Sequence, residues 1–411
     1  MIRTFEACNY RMLAGNRLHL SKYHVLVGRN ATGKSTMLDA IQFVADAVKS
    51  GVQEAVKVRG PSFLDLCFDR ARPVAFALEV DIPERDSQLV RMRYELEVGL
   101  DPHNGGALRV LRENLFRLPA DAAPSEQRSL FGPEWSGPVV HETKPAGWRK
   151  VVSKTAEGND YYRDEHTDWN SQLRFGPDKP ALGSVPEMPE RFPMSIGVRG
   201  LLREDVRTLA LDVKRMREPA APGGLPRMKV DGGDLPYVVR ELAARDPVLF
   251  REWVEHLGTA VPGLRDVGVR EREEDRKLVI EMKFAGEHPD AVPSWLLSDG
   301  TLRLMALTLL TFAAPPDARD VLLIEEPENG MHPLAIQVVR QALANPAEGQ
   351  QVLCATHSPL VLAETKLSET LVHRRDPAGY SVIRRGDEVP ELAGWAGKLS
   401  IADLFAGGVL S

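Results

Sequence analysis

Residues 28–35 read Gly28-Arg29-Asn30-Ala31-Thr32-Gly33-Lys34-Ser35, and this octapeptide constrains the fold more than any other stretch of the chain. It matches Gly-x-x-x-x-Gly-Lys-Ser/Thr at every fixed position. Its flanks are also those such a loop requires. The β-rich run of residues 23–27 precedes it, and residues 35–48 place Met37, Leu38, Ile41, Val44, Ala45 and Val48 at helical spacing. A strand, a glycine-rich turn and a helix in that order form a cradle for phosphate. The glycines let the backbone turn its N–H groups inward, and the helix N-terminus favours an anion. In such a loop Lys34 reaches the β- and γ-phosphates and the Ser35 hydroxyl ligates Mg²⁺. Arg29, Asn30, Ala31, Thr32 and Thr36 lie within or beside it as further nucleotide-contact candidates.

A second stretch has the complementary chemistry. Val321-Leu322-Leu323-Ile324 is a short, wholly apolar run, as expected of a parallel strand buried on both faces, and it ends in Glu325-Glu326. Carboxylates at the carboxyl end of such a strand sit where α/β sheets bind ligands. Glu325 is placed to hold Mg²⁺ and Glu326 to orient or deprotonate an attacking water. Taken alone, the pair reads equally well as solvated charge. Leu297-Ser298-Asp299-Gly300-Thr301 opens an apolar helix with Ser298 as N-cap; in isolation this is simply a cap. Thr356-His357-Ser358 follows the last strong strand run, residues 352–355. His357 there is either an ordinary loop histidine or a contact to a γ-phosphate.

Length and composition allow two or three domains and a large core: 411 residues, 43% hydrophobic and 27% charged, with a net charge of −6. That balance argues against a purely electrostatic nucleic-acid binder. Three widely spaced cysteines, Cys8, Cys67 and Cys354, suggest neither a zinc site nor a disulfide framework. The first residues lack a signal-peptide core, and the densest apolar segment, residues 304–314, is about half a membrane span. A soluble cytoplasmic protein without a membrane partner is therefore expected.

Strand and helix signals alternate over residues 1–100, with strands at 74–80 and 89–98 joined by a turn at 81–87. They return from about residue 231 to 411. Between them, residues 101–230 are rich in Pro, Gly and charge and show only two short strands, near 148–152 and 161–163. The expected organisation is an ATPase head in two halves, 1–100 and 231–411. Residues 101–230 then form an inserted α+β region offering a partner or DNA surface.

With the four stretches in this order, the chain resembles the ABC-type ATPase heads of SMC proteins, RecF and the OLD family. It is most similar to the small bacterial AAA-family ATPases that lack a long coiled coil. Residues 28–35 resemble the Walker A motif, 321–326 Walker B, and 297–301 the ABC signature, with Asp299 where glycine is common. Residues 326–333 resemble the Walker B and D-loop run, and His357 falls at the switch histidine. Asn9-Tyr10-Arg11 is similar to the Asn-Phe-Arg/Lys near the start of these heads, which makes Arg11 a phosphate contact. The resemblance implies an α/β P-loop NTPase with a mixed central sheet and flanking helices. It also implies ATP and Mg²⁺ as ligands, and a dimer in which Ser298, Asp299 and Gly300 of one copy cap ATP held by Lys34 of the other. No Q-loop glutamine is placed, and residues 101–230 lack the heptads of a coiled coil.

The resemblance to OLD-like ATPases, without room for a nuclease domain after His357, suggests an ATP-gated module. Its partner would be a nuclease or toxin effector encoded nearby, acting in defence against phage or plasmids. The alternative is a RecF-like repair ATPase binding DNA through Arg149, Lys150, Lys154, Arg163, Arg203, Arg207, Lys214, Arg215 and Arg217, although acidic residues are interspersed among these. A transporter nucleotide-binding subunit fits the long middle region poorly.

Overall fold

In the computed structural model, residues 1–84, 88–101, 105–119, 139–286, 291–393 and 400–407 are described. Residues 85–87 of the expected 81–87 turn lie outside them.

Among the described residues, seventeen strands form three sheets. The central one has the order β10 (Val206–Thr208), β14 (Val321–Glu325), β15 (Gln351–Ala355), β3 (Tyr23–Val27), β16 (Thr370–Arg375), β17 (Ser381–Arg385). It is parallel from β10 to β16, and only β17 runs antiparallel. Alternation along β14 shows how it is buried. Val321 and Leu323 join one apolar cluster, Leu322 and Ile324 the other. A strand wedged between two layers needs apolar residues at every position, which is why this run is continuous rather than alternating.

One of those layers is the helix Lys34–Ser50, which packs its Met37, Leu38, Ile41 and Val44 face among the first cluster. That cluster also takes in a second sheet, antiparallel throughout, with the order β2 (Asn16–His19), β1 (Ile2–Cys8), β4 (Val74–Pro83), β5 (Leu89–Asp101), β6 (Ala107–Arg117), β7 (Arg149–Lys154), β8 (Asp160–Arg163), β9 (Asn170–Leu173). The other layer is helical. It comprises Leu235–Arg245, Pro247–Gly258, Asp299–Phe312 and Pro333–Ala344, with a small sheet of β11 (Leu264–Glu271), β12 (Leu278–Phe284) and β13 (Val292–Pro293) beside it.

Residues 101–230 contribute strands to the central sheet and to the antiparallel eight-stranded sheet. β6 pairs with β5 along its length, and β7 to β9 extend the same sheet outward. β10 forms the edge strand beside the acidic β14. Lys154, fully buried, pairs with the equally buried Asp160 at 2.5 Å, so it belongs to the interior of this sheet and not to a basic face. Arg207 is likewise held by Asp320 at 3.1 Å. Tyr162 is core, whereas Trp169 is 68% exposed at the outer edge.

Candidate functional site

The order β14, β15, β3 places three strand ends side by side. In the parallel ladders Glu325 faces Ala355, and Ala355 faces Leu26. The chain therefore leaves the sheet at one edge as Glu325-Glu326, as Thr356-His357 and as the loop starting at Gly28. Residues nearly three hundred positions apart meet because parallel pairing aligns the carboxyl ends of neighbouring strands.

The loop is held from within and from outside. The Thr32 hydroxyl donates to the Arg29 carbonyl at 2.8 Å, and the Ser381 hydroxyl donates to the Thr32 carbonyl at 2.6 Å. Gly33 is required by both conformation and space. Its φ is +99°, and a Cβ there would lie 2.6 Å from Ser381 Oγ. At Gly28 a Cβ would lie 2.3 Å from the His373 carbonyl oxygen. Gly33 also caps the helix Lys34–Ser50 without a side-chain bond, so the first-turn N–H groups remain available to an anion. Lys34 arches over the loop, its Nζ donating to the carbonyls of Gly28 at 2.8 Å and Arg29 at 2.9 Å. Burial lowers its pKa to about 8, against the opposing pull of Glu326 and Glu325.

The Ser35 hydroxyl donates to Glu325 Oε2 at 2.7 Å. A hydroxyl and a carboxylate in contact at an exposed strand end are the oxygen donors that Mg²⁺ prefers, with water completing its shell. Glu326 has φ +45°, which turns it out of the strand direction, and its N–H is fixed to the Ala355 carbonyl at 2.8 Å. Asn329 Nδ2 donates to Glu326 Oε2 at 2.7 Å, so one carboxylate oxygen is occupied and oriented. Burial, followed by the charge of Lys34, lowers the pKa of His357 and keeps its imidazole neutral near pH 7.

A cleft of about 280 Å³ joins these groups, lined by Met12, residues 30–36, Glu325, Glu326, Ala355 and His357. Gly28 and Arg29 supply the carbonyls that hold Lys34. Other expected residues lie elsewhere. Arg11 points to Asp39 at 3.2 Å, with its own N–H on the Leu66 carbonyl, and the residue that reaches the cleft is its neighbour Met12. Ser298 caps the helix Asp299–Phe312 by accepting the Thr301 N–H at 3.1 Å and does not line this chain's own cleft. Asp299 pairs with Arg217 at 2.5 Å, and Arg217 also donates to the Leu297 carbonyl at 3.0 Å. Gly300 packs so closely on the turn after Glu326 that a Cβ would lie 3.0 Å from the Gly330 carbonyl oxygen.

Three residues have contacts here that the sequence reading did not assign them: Glu328 and Asn329 entered it only within the 326–333 run, and Arg217 only as a DNA-binding candidate. Glu328 Oε1 accepts the Thr356 hydroxyl at 2.5 Å and the His357 N–H at 3.1 Å, and so ties the two strand ends together. Asn329 orients Glu326, and Arg217 reaches the 297–301 turn from the middle region. For Glu328 and Asn329 the available signal was a polar pair directly following Glu326-Pro327. Arg217 had none, because its partner is 82 residues away in the chain.

Taken together, the doubly covered parallel sheet, the phosphate loop, the acidic strand end and the capped signature-like turn define a P-loop NTPase with an ABC-type head. The chain belongs to the family described as "AAA domain, putative AbiEii toxin, Type IV TA system", whose model matches residues 24–134 and 237–363, more than half of its length. No curated protein matches the sequence. Among solved structures it is similar to an Smc head bound to the C-winged helix domain of ScpA, at 14% identity and a TM-score of 0.48, covering 93% of this chain and 98% of that one. It is also similar to an Smc head with an extended coiled coil derived from Pyrococcus furiosus, bound to the C-terminal domain of ScpA (13%, TM-score 0.47, covering 97% and 99%). A third is the SMC head domain from Thermotoga maritima (13%, TM-score 0.43, covering 93% and 98%). Among the described residues, no helix is long and apolar enough to cross a membrane.

Proposed function

We propose that this protein binds and hydrolyses ATP with Mg²⁺, and that two copies close around the nucleotide to gate a partner effector. The observation that carries the reading is the convergence of Lys34, Ser35, Glu325, Glu326 and His357 on one cleft. Bound Mg²⁺ would neutralise phosphate charge, with Ser35 and Glu325 as the residues that hold it. The remaining roles belong to the chain itself. Loop N–H groups and Lys34 take the phosphates. Glu326, with one oxygen tied to Asn329, offers the other to a water as general base. His357 presents a neutral imidazole to the terminal phosphate.

Dimer closure is supported by the placement of Ser298, Asp299 and Gly300 outside their own chain's cleft, on a turn packed against Gly330. Apolar side chains flank that turn in the open: Trp295, Leu296 and Leu334 are 44%, 69% and 49% exposed. Exposed apolar groups beside a functional turn favour a protein partner there. The gated effector is a nuclease or toxin acting in defence against phage or plasmids; the family description, which names a putative toxin of a type IV toxin–antitoxin system, supports only the toxin context. Direct DNA binding in the RecF manner has less support. Lys154, Arg207 and Arg217 are held in ion pairs, and Arg149 donates to the Asp164 carbonyl.

Phosphate release by the purified chain tests the enzymatic part. Glu326→Gln should cut turnover by about a hundredfold or more while sparing ATP binding. Turnover unaffected by that change would remove Glu326 from the mechanism.

A further inference from the structure

His373, in β16, is fully buried, and among the described residues neither of its ring nitrogens has a hydrogen-bond partner. A polar side chain in the interior normally finds at least one, because an unpaired group there is costly. Burial, followed by the charge of Lys34, lowers the pKa of His373 to about 3. The ring is therefore neutral and carries one N–H and one bare nitrogen.

The sheet decides what this ring faces. β16 runs parallel to β3 with Val372 opposite Val27, so His373 comes level with Gly28, where the phosphate loop begins. Leu371 and Ile383 belong to the cluster that contains the helix Lys34–Ser50, and Val372 belongs to the other, so alternation turns His373 toward the loop side. At Gly28 the crowding comes from two directions. A Cβ there would lie 2.3 Å from the His373 carbonyl oxygen and 2.9 Å from the Thr32 hydroxyl oxygen. Ser381 lies on the same face of the β16–β17 hairpin, two residues from Ile383, the cross-strand partner of His373. Its hydroxyl donates to the Thr32 carbonyl at 2.6 Å. A carbonyl oxygen has a second lone pair, and the Thr32 backbone acts on the His373 ring as an acceptor, short of hydrogen-bond geometry.

The loop has to exchange internal bonds when phosphate arrives. In this structure Lys34 Nζ donates to the Gly28 and Arg29 carbonyls at 2.8 and 2.9 Å, and it must turn from them to reach a phosphate. The loop then loses two bonds from within, while the one unpaired donor beneath it is His373. We infer that His373 is a positioning residue for the phosphate loop, whose ring N–H takes the second lone pair of the Thr32 carbonyl when Lys34 turns to phosphate. This rests on the ATP-binding reading above. The unpaired ring destabilises the resting protein and is relieved on binding, so stability and affinity should respond to its removal with opposite signs.

Urea unfolding of the full chain without nucleotide, beside calorimetric titration with ATP and Mg²⁺, reads both. His373→Leu should unfold at an equal or higher urea midpoint, yet bind ATP about fivefold more weakly, as expected for one net hydrogen bond. In steady-state phosphate release KM should rise by a similar factor, with kcat within about twofold. His373→Asn and His373→Gln place an amide N–H at the depth of the two ring nitrogens, and one of them should restore ATP affinity. A His373→Leu protein that unfolds earlier or does not fold, or that binds ATP as the wild type does, would overturn the positioning role, as would failure of both amides to restore affinity. Lys34→Ala separates this from the reading beneath it. If Lys34→Ala binds ATP as tightly as the wild type, the phosphate site itself is wrong and the role of His373 falls with it.

Discussion

Glu328 offers a sharp test of how the site is assembled, because it does not line the cleft. Its Oε1 accepts the Thr356 hydroxyl at 2.5 Å and the His357 N–H at 3.1 Å. The Thr356 hydroxyl in turn accepts the Ser358 N–H at 2.9 Å. Removing the carboxylate in Glu328→Ala releases both bonds and unties the turn that aims His357. A hydrogen bond to a charged acceptor is worth about 1.5–3 kcal/mol, and the half-buried setting argues for the lower end. The two together give roughly 3 kcal/mol of positioning energy. At about 1.4 kcal/mol per decade this is about a hundredfold fall in kcat. KM should stay within about threefold, because the phosphate loop is held by Ser381 and Thr32 and not by Glu328. Glu328→Gln keeps an acceptor oxygen and should recover most of the rate. Steady-state phosphate release across ATP concentrations measures both parameters. A Glu328→Ala protein with wild-type kcat, or a glutamine variant as slow as the alanine one, would refute the positioning role.

Two further outcomes follow from the buried charges. Lys34 has its pKa lowered by burial to about 8, so in the nucleotide-free protein it is charged below that pH and neutral above it. Phosphate binding needs the charged form, so ATP affinity should be flat from pH 6.5 to about 8 and then fall by up to about tenfold per pH unit; affinity unchanged to about pH 9.5 would contradict this. Asp160→Ala strands the fully buried Lys154 and should cost about 3–5 kcal/mol in urea unfolding, whereas a loss under about 1 kcal/mol would show that the pair is not a structural element of the sheet.

The site was more legible in sequence than the fold around it. Residues 28–35 and 321–326 carry their own local signals, a glycine pattern and an apolar run ending in acid. Strands β3 and β14 and the helix after Gly33 accordingly fall where those signals put them. The helix beginning at Asp299 starts three residues before its apolar periodicity, because Ser298 caps it there. β6 was illegible for a physical reason. Its Glu113 and Asn114 are buried polar residues that break the alternation of a strand, and they are tolerated because each is satisfied from a distance. Glu113 accepts the Leu182 N–H at 2.9 Å and the Tyr94 hydroxyl at 2.9 Å, and Asn114 donates to Glu95 at 3.0 Å. β10 is three residues long, and its place beside β14 is set by pairing across more than a hundred residues. At Arg11 the local backbone turns the side chain toward Asp39, and its neighbour Met12 lines the cleft, a placement the motif did not carry.

The central claim, that ATP closes two copies around a shared site, is most directly tested by light scattering on Glu326→Gln with and without ATP and Mg²⁺. That change removes the proposed general base and spares Ser35 and Glu325, so bound ATP should persist. The account expects the mass to double only when ATP is present, and expects Ser298→Arg in the same background to abolish the doubling while ATP still binds. A mass that does not respond to ATP, or a doubling indifferent to Ser298, would contradict it.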